Sequence, residues 1–175
     1  PNPATVVVGT PQQFIAIAYD EFNVPIPNAT FFWSTNMGVI NFAGILTART
    51  TPGSGFVTAT YEGITGSAVV NVVPGALHHI LLSPSTASVQ VGQTRQFTAT
   101  GYDIYNNVLT GLTFTWATNI GTVDATGLFT ARTTPGTGVV TAQSGTVTGT
   151  ANVQVTSGPV DHITVSPDPT SVVVG

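Results

Sequence analysis

The chain repeats itself at a period of about 83 residues, in the range of a small tandem module. Two copies align with no insertion. Trp33 falls on Trp116, Tyr19-Asp20 on Tyr102-Asp103, and Gly9 on Gly92 and Gly175. The stretch Thr47-Ala48-Arg49-Thr50-Thr51-Pro52-Gly53 recurs as Thr130-Ala131-Arg132-Thr133-Thr134-Pro135-Gly136, and the last ten residues, SPDPTSVVVG, begin a third copy. Each copy must therefore close its own core, near the lower size limit for an independent domain. The expected division is 1-74, 77-157 and the first strand of a further module at 160-175. Duplicated chemistry strung along a thread favours a scaffold over an enzyme.

Period-two alternation tells what each copy folds into. Val89 and Val91 alternate with Ser88 and Gln90, and Leu112, Phe114 and Trp116 with Thr113, Thr115 and Ala117. Val147, Ala151, Val153 and Val155 alternate with Thr148, Thr150, Asn152 and Gln154. Gly, Asn, Pro and Asp bound the runs, and beta-branched residues fill them, as half-buried strands prefer. No segment carries a sustained helical stripe. Some seven short strands per copy predict an all-β chain of two tandem immunoglobulin-like sandwiches. The expected core is Trp33, Trp116, Phe14, Phe97, Phe31 and Phe114, with each tryptophan as the central plug between two sheets. The junctions Val73-Pro74-Gly75-Ala76 and Thr156-Ser157-Gly158-Pro159 are short and contain proline, which predicts a semi-rigid rod.

Composition removes several classes of chemistry. There is no cysteine, so neither disulfide nor thiolate metal site holds the modules, and there is no lysine for a Schiff base or side-chain crosslink. Charged residues are 6% of the chain and the net charge is -4, which leaves no basic patch for nucleic acid. Thr, Ser, Asn and Gln supply the surface polarity. No apolar run approaches the roughly 20 residues that span a bilayer.

The residues resemble the bacterial immunoglobulin-like (Big) domains of prokaryotic surface proteins, of the invasin and intimin type. The stretch HHILLSPSTASVQVGQTRQFTATGYD is similar to the opening strands of such a module, with a proline break between strand halves. YDIYNN and YDEFNV resemble its Asp-containing turn, with the usual Gly-Asn degraded in both. FTWATNIGTVDATGLFTARTTPGTGVVTA resembles its tryptophan strand and following hairpin. The resemblance covers both copies and implies a module on the outside of a prokaryotic cell. It does not choose among adhesins, surface-layer and filament subunits and accessory modules of secreted enzymes.

Candidate sites are sparse. Asp20 and Asp103, with Asn23 and Asn106 three residues on, are either calcium ligands at a module junction or Asx turns that cap their own loops. His79 and His162 recur at module starts, with His78 beside the first, and are metal ligands or polar junction contacts. Arg49 and Arg132 are placed to pair with Asp20 and Asp103. Asn28-Ala29-Thr30 is a glycan acceptor sequon. Catalytic residues are not expected, because the histidines lie at linkers and no paired carboxylates are duplicated.

The copies differ most at outward positions. The first places Ile15, Ile17, Phe32 and Val69 where the second has Thr98, Thr100, Thr115 and Asn152. Clustered, these form a covered interface; scattered, they are drift within a tolerant surface. The ends add a further expectation. The second copy opens with His79-Ile80-Leu81-Leu82-Ser83 before Pro84, a half-strand the first copy lacks, and the third copy repeats it. Ile163, Val165, Val172 and Val174 are then either a strand donated to residues 1-73 of a second chain, or part of one long covalent array.

Three functions follow from this. The first is a non-enzymatic structural module of an extracellular filament, sheath or surface layer, whose partners are copies of itself or neighbouring modules. The second is an adhesin stalk. The third, an accessory carbohydrate-binding module, has as its aromatic platform Phe32, Tyr61 and Phe22.

Overall fold

The computed structural model describes residues 2–166, so Val172 and Val174 lie outside the described residues. No helix occurs among them. The first copy contains β1 (Ala4–Val7), β2 (Pro11–Gln13), β3 (Phe32–Thr35), β4 (Gly38–Ile40), β5 (Ile45–Ala48), β6 (Gly53–Tyr61) and β7 (Ile64–Val73). They form a four-stranded sheet, β1-β7-β6-β3, and a three-stranded sheet, β2-β5-β4.

The second copy contains β8 (His79–Ser83), β9 (Thr86–Gln90), β10 (Thr94–Gln96), β11 (Thr98–Tyr102), β12 (Val108–Leu109), β13 (Thr115–Thr118), β14 (Gly121–Val123), β15 (Leu128–Ala131), β16 (Gly136–Ser144) and β17 (Val147–Thr156). Its four-stranded sheet, β9-β17-β16-β13, matches the first copy's, as does β10-β15-β14. A further sheet, β12-β11-β8, is reduced in the first copy to the single antiparallel bridge Tyr19–Pro25, the equivalent of Tyr102–Val108.

Register repeats with sequence. Val6 faces Val72 across the parallel pair β1 and β7, and Val89 faces Val155 across β9 and β17. Trp33 faces Ala59, and Trp116 faces Ala142, in antiparallel pairs. A one-residue slip would turn every inward side chain to solvent, so the alternation fixes the register twice over.

The compact units do not follow the repeat boundaries. One unit comprises Pro1–Leu81, Thr100–Thr113 and Ser144–Thr148; the other comprises Leu82–Ala99, Phe114–Gln143 and Gly149–Gly175. The first unit's core contains Val6, Phe14, Met37, Leu46, Val57 and Val70, all buried. The second unit's core holds Val89, Phe97, Ile120, Phe129, Val140 and Val153 at equivalent positions. Phe97 and Phe129 meet edge to face, with centroids 6.2 Å apart, a favoured aromatic geometry.

Phe14 and Phe97 are buried, but the tryptophans are not the central plugs. Trp33 and Trp116 are half-buried, as are Phe31 and Phe114. The reason is topological: β3 and β13 are the edge strands of their sheets, so each indole closes the margin of a core rather than its centre. There it covers a glycine. A Cβ on Gly44 would stand 2.9 Å from Cζ2 of Trp33, and one on Gly127 would stand 2.8 Å from Cζ2 of Trp116. Both glycines have positive φ, 77° and 83°, so turn geometry and ring contact demand the same residue.

Phe129→Ala is expected to cost about 3–5 kcal/mol, the usual loss for a buried phenylalanine. Trp116→Ala should cost less, because its side chain is already partly exposed at the sheet edge, whereas Phe129 is fully buried. Urea unfolding of both variants checks the order. A Trp116→Ala loss equal to or above that of Phe129→Ala would restore the indole to the centre.

Candidate functional site

The Asp-containing loops are built from their own backbones. Asp20 Oδ1 accepts from the amides of Phe22 and Val24, both at 2.9 Å, and Asp103 Oδ1 accepts equally from Tyr105 and Asn107. Asn23 and Asn106 take positive φ, 60° and 64°, to close each turn, a conformation asparagine tolerates. These are Asx turns.

Asp103 does more than Asp20. Its Oδ2 accepts from the Gly75 amide and from Asn107 Nδ2, both at 2.9 Å, and Asn107 Nδ2 also donates to the Thr50 carbonyl at 2.8 Å. All four residues belong to the first compact unit. Asp103 is the one buried charged side chain among the described residues, and both its oxygens are engaged. Burial alone would raise its pKa. The Asn107 amide, with the backbone N–H groups of Gly75, Asn107 and Tyr105, outweighs that cost and lowers it to about 2.

Among the described residues, neither Arg49 nor Arg132 pairs with a carboxylate. Arg49 Nε donates to the Thr51 carbonyl at 2.9 Å and Nη2 to that of Pro52 at 3.0 Å; Arg132 does the same to Thr134 and Pro135. The guanidinium's fixed fork matches two successive carbonyls of its own loop, which leaves none of the geometry for Asp20 or Asp103. This accounts for the recurring TARTTPG. A Cβ on Gly53 or Gly136 would collide with Nη2 of the arginine four residues earlier.

A third loop shows that charge is dispensable for this kind of turn. Asp124 Oδ1 accepts from the Thr126 hydroxyl and from the amides of Thr126 and Leu128, which lowers its pKa. At the equivalent place Asn41 Oδ1 accepts from Ala43 and Ile45.

The other polar candidates stay apart. His79 stacks on Tyr102 with centroids 5.2 Å apart, and His78 contacts it through the two Nδ1 atoms at 3.2 Å. His162 Nδ1 lies 3.1 Å from Asp161 Oδ2 on an exposed stretch. No three His, Asp or Glu side chains gather into a metal-holding group among the described residues. Asn28 is exposed, with a φ of 57°.

The four outward apolar residues do not make one patch. Phe32 and Val69 lie on β3 and β7 of the four-stranded sheet, with β6 between them. Val69 is half-buried opposite Phe56. Ile15 and Ile17 lie in the segment after β2, beside the other sheet. Outward residues of two packed sheets face opposite ways. Of the aromatics expected to form a platform, Phe22 and Phe32 are exposed, whereas Tyr61 leans on Phe31 with centroids 5.9 Å apart.

The feature the alternation alone did not reveal is a groove. Residues 15–18 form no strand, although their counterparts lie in β11. The space beside them measures about 400 Å³ and is lined by Phe14, Ala16, Trp33, Ala59, Gly66 and Ala68.

No family model matches the chain. It is 29% identical, over 175 residues, to Ice-binding protein 1 of Shewanella frigidimarina (strain NCIMB 400). That match covers 95% of this chain and 19% of the relative. Among solved structures, the Escherichia coli adhesin FdeC superposes with a TM-score of 0.53 at 18% identity, covering 90% of this chain and 62% of that one. Drosophila N-cadherin EC1-4 gives 0.51 at 13% identity, covering 90% and 48%. The shared property is the fold, a chain of immunoglobulin-like or cadherin-like β-sandwich domains.

The loop chemistry sets a pH dependence. The folded pKa of Asp103 lies below the ordinary unfolded value of about 3.9, so its hydrogen bonds stabilise the fold fully above that value. The contribution disappears as pH falls through about 2. Asp103→Asn turns an N–H₂ toward the donors of Gly75 and Asn107, so melting at pH 7 should drop and the acid slope should flatten. Asp124→Asn should leave melting at pH 7 nearly unchanged, because Asn41 already does that task uncharged. Thermal melts of both variants from pH 2 to 7 check the contrast.

Proposed function

We propose that this chain is a non-enzymatic spacer segment of an extracellular prokaryotic surface protein or filament, built of tandem immunoglobulin-like modules. The observation that carries the reading is where the recurring charged side chains go. Asp20, Asp103, Arg49 and Arg132 are the charged groups repeated in register within the two copies, and each is held by the backbone of its own loop. A duplication that conserves loop clamps and core, while its outward residues diverge, serves shape rather than a reaction.

Two further facts support it. The chain corresponds to a 19% share of a bacterial relative, as a spacer within a larger protein would. Its surface is polar through hydroxyls and amides and carries few charges. On this reading the ice binding in the relative's name resides in the rest of that protein. The adhesin stalk remains the second role compatible with the same segment, and the two differ only in what caps the array.

Surface proteolysis of intact source cells, followed with antibody to this chain, tests the location. Cleavage without lysis is expected; cleavage only after lysis overturns the reading. The isolated chain should show no thermal hysteresis in an ice-growth assay, and measurable hysteresis would move ice binding into this segment.

A further inference from the structure

An N-glycan acceptor needs Asn-x-Ser/Thr with x not proline, and the chain meets that requirement once, at Asn28-Ala29-Thr30. The equivalent stretch of the second copy is Gly111-Leu112-Thr113. Both turns take positive φ, 57° at Asn28 and 75° at Gly111, a conformation that asks for glycine or asparagine. The position has room for a substituent, since a Cβ on Gly111 would meet nothing within 4 Å. Asn28 and Thr30 are exposed, and their side chains make no hydrogen bond to another described residue. The amide and the hydroxyl that a glycosyl transferase reads are both open.

Turn geometry explains the asparagine, but it does not explain a second difference beside it. Phe42 stands at the tip of the β4–β5 hairpin and is 93% exposed. Its counterpart is Ala125. Asp124 accepts from Thr126 and Leu128 around that alanine as Asn41 accepts from Ala43 and Ile45 around the phenylalanine. The hairpin therefore forms without a ring at its tip.

The two differences meet in one groove of about 420 Å³. It is lined by Ala29 and Thr30 from the sequon, by Phe42 and Ala43 from the hairpin, and by Phe31 and Trp33. That volume lies in the range that holds small ligands. The margin is half-open in both copies, as the matching burial of Trp33 and Trp116 shows. Only the first copy adds an acceptor and a ring to it. A pyranose has a face of C–H groups that packs on the electron-rich face of an aromatic ring, while its hydroxyls stay in water. A sugar on Asn28 starts at the lip of this groove, so it can cover Phe42 without a second protein.

We propose that Asn28 carries an N-linked glycan whose first sugars lie in the groove against Phe42. In the transfer, Asn28 Nδ2 bonds to C1 of an oligosaccharide held on a lipid diphosphate. The bond from C1 to the diphosphate oxygen breaks, Nδ2 gives up one proton, and the lipid diphosphate leaves. The proposal rests on the reading of the chain as exported, because the donor lipid lies in a membrane that an exported chain crosses.

The test starts from the protein recovered from source cells. Mass spectrometry should find the peptide spanning Asn28 heavier by an oligosaccharide, and a glycan-releasing amidase should leave aspartate at 28. Asn28→Gly, which restores the residue of the second copy, and Thr30→Ala should each abolish the added mass while the chain still folds. Phe42→Ala should keep the glycan and lose its contact. Enzymatic removal of the glycan should then lower the melting temperature of the parent by about 2–5 °C and leave that of Phe42→Ala nearly unchanged. Both samples acquire the same aspartate, so the comparison isolates the ring. A bare Asn28 overturns the proposal, and an equal drop in parent and Phe42→Ala overturns the seating in the groove. The two readings fail separately: a chain displayed on cells with a bare Asn28 loses only the glycan, and a glycosylated chain that protease reaches only after lysis loses only the surface role.

Discussion

Burial of inward side chains between paired sheets holds each copy, and everything else in the structure is arranged around it. The chain has no cysteine to staple it and almost no charge to pair. Each core therefore relies on Val, Ala, Phe, Leu and Ile set by a strict alternation, with Leu46 and Met37 in one copy standing where Phe129 and Ile120 stand in the other. Those exchanges alter volume and shape without altering polarity, the kind of change that cores tolerate when the pattern is kept. The registers stay the same in both copies because period-two alternation leaves no second way to bury the same face.

The loops solve a different problem, that of backbone polar groups where the ladders end. Asp20, Asn41, Asp103 and Asp124 each accept two amides of the turn that follows them. Arg49 and Arg132 donate to two carbonyls of theirs. One asparagine serving beside three aspartates shows that the required property is an acceptor oxygen at a set reach, not a charge. Asp103 departs from this rule. With its second oxygen it gathers Gly75 and, through Asn107, the Thr50 carbonyl, so one side chain ties three separate stretches of the first compact unit together.

The all-β class, strand positions and most inward residues were legible in the sequence, because alternation is written directly in the chain. Depth was not. Nothing in the run Phe31-Phe32-Trp33 says that β3 is an edge strand, and only sheet order makes the indole marginal and Phe14 central. Pairing partners were equally hidden: Arg49 and Asp20 suit one another by charge, yet loop carbonyls a few residues away are closer than any carboxylate. Of the outward set, Ile15, Ile17 and Phe32 are exposed and Val69 is half-buried, and they lie on different strands, since alternation gives a face for each strand but not which strands share a sheet.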